Sequence, residues 1–425
     1  MFLLNLGWKW TFAALDGLRG AIVLPSGNPV HRVLENAPGD FQVMLLDPQL
    51  YLAGLQVKHR AKICGRLAGY PWFGVPDVEK IGTTQGSHRE VDARIRALVV
   101  DRWPGRPPVD LNECALRAIS FQVDRGCTSI ILPAPLVEER EDEGSSLGDW
   151  IDAGLQIVEE LEVAQPVLAT VAISQKALNT AAFAGGGLLE AVVDQVTARQ
   201  GLDGVYIVVA QTETLSHSFE IRDDVAHAYL QLVRDFGRTG SYQIITNFAD
   251  LLGLLSIGLG ATAFATGQSL TQRGLYLEAF RDDGGGIALP HFYSHRTAAE
   301  YRTETDLDRI VEKKLVRRIS DETNASAPLM EALRKGGTAG SLPNWAESQN
   351  NVQAAHQHYL ERLYIEGDRL RQTRPGDRLD LLIDWLESAE GNSLVVDRRT
   401  QAKPPLGRRP PLARWRGLIE ELADQ

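Results

Sequence analysis

Eight short apolar runs punctuate the first 300 residues: AIVLP (21–25), QVMLLD (42–47), SIILP (129–133), VLATVAI (167–173), VYIVVA (205–210), QIITNF (243–248), TAFATG (262–267) and IALPHFY (287–293). Each is nearly continuous in apolar and β-branched residues, the pattern of a strand buried on both faces of a parallel sheet. Helical spacing appears between them. Leu147, Trp150, Ile151, Val158 and Leu161 form one stripe, and Val225, Ala228, Tyr229, Leu232, Val233 and Phe236 another, each suited to packing on a sheet. From the third run onward the starts fall 38, 38, 38, 19 and 25 residues apart, a βαβ rhythm with right-handed crossovers. Eight such units close most simply as a (β/α)8 TIM-type barrel, with a doubly wound open sheet as the competing topology.

The interval from Asp47 to Ser129 breaks the rhythm. It is dense in Gly and Pro, carries a helical pattern around Ala93 to Val100 and the loop WPGRPPVD (103–110), and reads as an insertion over one barrel mouth at about 56–128. Beyond Tyr301 the strand signals stop. The expected organisation is a barrel over residues 1–300 and a helical C-terminal extension over 301–425.

Composition is that of an ordinary globular chain: 425 residues, 44% hydrophobic and 23% charged, with 44 basic and 55 acidic side chains giving a net charge of −11. That balance disfavours a surface coated in positive charge for nucleic acid or anionic lipid. The charge is unevenly placed, since residues 1–300 hold 24 basic and 35 acidic side chains and residues 301–425 hold 20 of each. Within the tail, Arg398, Arg399, Lys403, Arg408, Arg409, Arg414 and Arg416 form a basic run, interleaved with prolines and Trp415. Two readings of it stand: a phosphate-gripping segment, or a solvated Pro-rich connection before the last helix. Cys64, Cys114 and Cys127 are too few and too scattered for a disulfide framework or a structural zinc site, so a reducing cytoplasm is expected. The opening MFLLNLGWKW has no preceding basic residue and is interrupted by Lys9; it reads as neither a signal peptide nor a spanning helix, and no membrane association is expected.

In a barrel of this kind the chemistry belongs at the carboxyl ends of the strands. The candidates there are Ser26 and Asn28; Asp47, Gln49 and Tyr51; Ser174, Gln175 and Lys176; Gln211 and Glu213; Asn247; Thr266, Gln268 and Ser269; and His291, Tyr293 and His295. Asp47 ends an apolar strand and must be satisfied or solvated. It is either a general base or ligand acceptor, or the cap of a following helix with Pro48 at its first position. The turn at Gly267, leading into Gln268 and Ser269, matches a place where barrels hold phosphate on backbone N–H groups, and Gly284 to Gly286 reads as a hairpin. His291 and His295 straddle a strand end rather than sharing a helix face, and His356 and His358 diverge on a helix, so no metal and no cofactor are expected. The acidic run Glu138, Glu139, Glu141, Asp142 and Glu143 reads as a solvated loop, and no GxSxG elbow, P-loop or GxGxxG fingerprint occurs.

The segment GAIVLPSGNPVHRVLENAPGDFQVMLLDPQLYLAGL (20–55) resembles the first two strands of the tRNA-guanine transglycosylase-like barrels, which begin with a strand ending in Pro and place an Asp at a strand end before Ser-Gly-Gly. On that resemblance Asp47 stands at the family's Asp, with Pro48, Gln49 and Leu50 where the glycine turn would be. The tail residues His358, Tyr359 and Leu360 resemble the aromatic helix that follows the family's barrel, while the family's Cys-rich zinc motif has no counterpart here. The resemblance implies a divergent relative with a lost or changed reaction, a transferase or hydrolase of glycosyl or nucleoside type. Two functions follow. In one, the barrel mouth binds a nucleobase, nucleoside or phosphorylated small molecule, with Asp47 catalytic and Asn28, Gln211, Asn247, Gly267, Gln268, Ser269 and His291 holding the ligand. In the other, a non-catalytic barrel serves as scaffold or recognition subunit in a multiprotein, nucleic-acid-related or defence system, docking through its C-terminal helices. Nucleic-acid binding by the 398–416 run is a third, lesser expectation.

Overall fold

In a computed structural model, which describes residues 1–7, 18–35, 41–78, 87–138, 146–178, 187–211, 221–268, 270–282, 288–347 and 351–424, eight parallel strands form a nearly closed barrel. They are β1 (Phe2–Leu6), β2 (Gly20–Val23), β3 (Val43–Leu46), β4 (Ile130–Ile131), β5 (Val167–Ser174), β6 (Gly204–Gln211), β7 (Gln243–Asn247) and β8 (Ala263–Thr266). Pairing runs β3-β2-β1-β8-β7-β6-β5-β4. The remaining seam is drawn together by the Thr128 amide, which donates to the Met44 carbonyl at 2.8 Å. Every residue of β5 and β6 is buried, which is why their runs show no polar alternation. At the foot of β6, Gly204 is required because a Cβ there would lie 2.1 Å from the Gln243 carbonyl oxygen across the strand pair.

Seven of the eight apolar runs are barrel strands; the eighth is not. Within IALPHFY, β10 (His291–Ser294) pairs antiparallel with β11 (Ala299–Arg302) in a separate hairpin, and the wall is completed instead by β1 from the opening FLLNL. A five-residue apolar run looks the same whether it ends in a barrel or in a hairpin, so only the pairing partner separates the two cases. A further short strand, β9 (Leu275–Tyr276), pairs in parallel with the carboxyl end of β6 at Ala210 and Gln211.

Helices follow the strands: α1 (Val30–Glu35), then, between β3 and β4, α2 (Ala61–Ala68), α3 (His88–Arg102) and α4 (Leu111–Asp124), and onward α5 (Ser146–Glu160), α6 (Gly187–Thr197), α7 (Asp223–Arg238) and α8 (Leu252–Gly258). Local signals set their starts. Ser87 and Glu90 close a capping box on α3, and Asp110 accepts from the Glu113 amide to begin α4. After β8, a small second core around Phe292, Tyr301, Met330 and Trp345 comes first, and then the chain returns to the barrel as α9 (Gln353–Gln372), α10 (Arg378–Thr400) and α11 (Leu412–Asp424). Helix α9 covers β1 and β8, crossing them so closely at Gly367 that a Cβ there would sit 3.2 Å from Phe264 and 3.3 Å from Phe2. It therefore occupies the position of the eighth outer helix. Helix α11 lies on α7, where Arg234 donates to the Leu422 carbonyl at 3.2 Å. No described helix is long and apolar enough to cross a membrane.

Candidate functional site

Successive strand residues face opposite sides, so Leu3 and Asn5 of β1 point into the barrel while Phe2 faces α9. At the carboxyl end of the interior a buried polar network forms. Asp47, fully buried just beyond β3, accepts from the Gln49 amide at 2.9 Å, the Tyr51 hydroxyl at 2.5 Å and the Tyr206 hydroxyl at 2.8 Å. The Tyr206 oxygen in turn accepts from Asn247, whose side-chain oxygen accepts from Asn5 at 2.7 Å. Burial pushes the Asp47 carboxyl up to about 6, against the pull of these donors. The Gln49 bond closes a local Asx turn and is not the expected helix cap, because the single 3-10 turn that follows, Leu50–Leu52, starts from Gln49 without a side-chain cap bond and Pro48 lies before it. The two tyrosines add a tie across the barrel interior.

Beside this network, over the ends of β6 and β7, lies a small, partly open cavity of about 40 Å³. Val209, Ile221, Leu252 and Trp415 give it apolar walls, and Gln211, Asn247, Asp250 and Arg273 its polar groups. The chain reaches it through a contorted turn: Phe248 and Asp250 have φ of 55° and 44°. Asp tolerates the left-handed region; Phe adopts it at a cost of about 1–3 kcal/mol, which concentrates strain at this strand end. The Tyr359 hydroxyl of α9 donates to Asp250 Oδ1, whereas Oδ2 is shielded from solvent and takes no hydrogen bond among the described residues. Burial pushes the Asp250 carboxyl up to about 7, even with the Arg273 charge and the Tyr359 bond opposing it.

Arg273, nearly fully buried, binds Glu300 of β11 at 2.5 Å and stacks its guanidinium 3.7 Å over the Tyr359 ring. Burial alone would raise Glu300, but Arg273, with His291 and Arg408 nearby, holds its carboxyl below the ordinary value. Burial also lowers His291 and takes His356 down to about 4, so both imidazoles beside this ion pair are neutral at pH 7. Barrel, hairpin, α9 and α11 thus all contribute side chains to one region. Among the described residues no group of three or more His, Cys, Asp or Glu side chains is arranged to hold a metal ion.

The structure gathers Gln211 and Asn247 at this cavity as strand-end residues. It places the other expected ligand residues elsewhere. Asn28 donates to the Leu6 and Leu24 carbonyls at 2.8 and 3.0 Å and so pins the turn after β2. The Gly267 amide is taken by the Gln272 carbonyl at 3.0 Å, folding the chain back to deliver Arg273; Gln268 is half-buried beside that turn, and Ser269 lies outside the described residues, as do Glu213, Glu139 to Glu143 and Gly284 to Gly286. His291 holds Nδ1 2.9 Å from the Leu289 carbonyl. In the basic run, Arg409 binds Asp397, Arg414 binds Asp223, and Arg416 lies 3.7 Å from Glu390, while the Arg408 backbone pairs with Glu300. Arg398 and Arg399 are exposed in the last turn of α10. Asp250, Arg273, Glu300 and Tyr359 were not among the candidates; the Asn-Phe-Ala-Asp sequence after β7 is the one local sign of them, a polar residue three places beyond a strand-end amide.

No family model, curated protein or solved structure matches the chain. The barrel is therefore common ground with the transglycosylase-like proteins, and membership of that family is not shown.

Proposed function

We propose that the protein is an enzyme that binds a small polar molecule over the ends of β6 and β7, with Asp250 as the proton-transfer group. The observation that carries this reading is the Asp250 carboxyl itself: one oxygen held by Tyr359, the other without a hydrogen bond among the described residues, in a cavity wall and with an affinity for protons near neutrality. An acid or base works best when its pKa lies near the working pH, and burial brings Asp250 there. Gln211 and Asn247 are the orienting amides. Asp47 acts one step back, as a positioning residue, because it holds Tyr206 and Tyr206 holds Asn247.

The Arg273 charge is matched by Glu300, so the cavity favours a neutral hydrogen-bonding ligand with an apolar face over an anion. Nucleobases and nucleosides have that character: a flat ring for Trp415 and the aliphatic walls, and polar edges for the amides and the carboxyl. The test is thermal-shift screening of panels of nucleosides, nucleobases, sugars and amino acids against the wild-type protein and Asp250→Asn. A class that stabilises the wild type and not the variant supports the reading; equal shifts in both proteins, or none from any class, would overturn it.

A further inference from the structure

A second recess lies outside the barrel wall on the β2–β3 side, where α1, α2 and α3 meet. It is a small recess, about 90 Å³, partly open to solvent. Gly65 makes it possible: a Cβ there would already be 3.4 Å from the Arg96 Cα, so α2 and α3 cross closely and their side chains converge on one cleft. On α2, Lys62 and Arg66 stand four residues apart on one face, and on α3 Asp92 and Arg96 do the same. His31 of α1 completes the lining, its Nδ1 3.8 Å from Asp92. The lining thus brings Lys62, Arg66, Arg96 and His31 together with Asp92, and the Asp282 carboxylate stands just outside it, accepting from the Lys62 amide at 3.1 Å. Arg66 is anchored in position, with Nη1 donating to the Ser26 carbonyl at 3.0 Å. Burial lowers its pKa, and Arg96 and Arg32 lower it further while Asp92 opposes them. A phosphate placed in the cleft would meet the side chains of Lys62, Arg66 and Arg96 from two helices at once.

We propose that this cleft is a binding site for a phosphorylated small molecule, with Lys62, Arg66 and Arg96 contacting the phosphate. So small a recess cannot enclose a large ligand, and a compact phosphate ester is the class whose charged end it can take. The net charge of −11 repels a long polyanion such as nucleic acid more strongly than a small dianion. This site shares no lining residue with the cavity at Asp250.

Calorimetric titration of the full chain with inorganic pyrophosphate, at low and at raised salt, tests the proposal. Saturable binding that weakens with salt is expected, and it should fall about tenfold or more when the exposed Lys62 and Arg96 are both changed to Glu. The milder pair Lys62→Gln and Arg96→Gln should show a smaller loss in the same direction and serves if the charge reversal disturbs folding. Asp250→Asn should bind pyrophosphate as the wild type does. Parallel arms with glucose 6-phosphate, glucose and a single-stranded RNA separate the sources of the phosphate. Absence of saturable binding, equal affinity in the Gln pair, or RNA binding tighter than either phosphate and lost in the same variants would each overturn the proposal.

Discussion

Tyr359, from the helix that covers the seam between the first and eighth strands, donates its hydroxyl hydrogen to Asp250, 109 residues earlier at the end of the seventh. The C-terminal helices therefore supply part of the barrel mouth as well as part of its outer layer. A carboxyl held in this way has consequences that can be measured.

Asp250 titrates near 7 in the folded protein, above the ordinary 3.8. Because the folded value is raised, the stability it permits is fully present below about pH 4 and is lost as the pH rises through 7, where the buried group ionises. Asp250→Asn removes that penalty. The variant should be more stable than the wild type at pH 8 by roughly 1–3 kcal/mol and without that gain at pH 4, while losing ligand binding. Urea denaturation at both pH values measures it; an equal gain at both would show that ionisation is not the cause.

Tyr206→Phe deletes one oxygen that serves two partners, as donor to Asp47 and acceptor from Asn247. Both partners are buried, so the expected loss is about 1–3 kcal/mol for each group left unsatisfied. The same variant should raise the Asp47 carboxyl further above 6, since one of the donors that opposes burial is gone. Carbon-detected titration of the Asp47 carboxyl by NMR would follow that shift.

Arg273→Met takes from the buried Glu300 the cation it binds at 2.5 Å, and destabilisation of about 3–5 kcal/mol is expected. Arg273→Met combined with Glu300→Met should recover much of that loss. A double-mutant cycle by chemical denaturation reads the coupling directly; additive losses would show that the pair is not acting as a unit.

Gly367→Val tests whether α9 truly closes the wall. Its branched side chain would press on Phe2 and Phe264, whose rings meet edge-on with centroids 5.4 Å apart, and overpacking there should cost about 1–3 kcal/mol. A neutral substitution, read from the denaturation midpoint, would mean that the helix can lift from the strands.

What could be read in advance followed from periodicity. The 38-residue spacing and the fully apolar runs of β5 and β6 reflect burial on both faces, a constraint written locally into each strand. Strand β1 is not legible in the same way because FLLNL stands outside that regular spacing, with β2 close behind it and β8 near the far end of the barrel sequence. The site divides in the same way. Gln211 and Asn247 sit at strand ends, where the sequence pattern directs attention. Arg273, Glu300 and Tyr359 arrive from a turn, a hairpin and a distant helix, and nothing in a linear pattern states that three such segments meet. Asp47 shows the opposite case, where a prominent residue was noticed and its side chain is spent on three internal hydrogen bonds.

The place of β1 in the wall bears on the order in which the protein assembles. Its partner β8 lies more than two hundred residues further along the chain, and the Met1 amine donates to the Thr262 carbonyl at 2.5 Å across 261 residues. During synthesis β1 can pair only with β2, and its other edge waits until β8 and then α9 have been made. Ring closure is thus a late, long-range event, slow in the manner of folds dominated by non-local pairing, and the nascent chain carries an open apolar edge until it happens. Chaperone dependence of refolding should accordingly respond more to changes in Phe2 to Leu6 than to equally buried positions in β5 or β6.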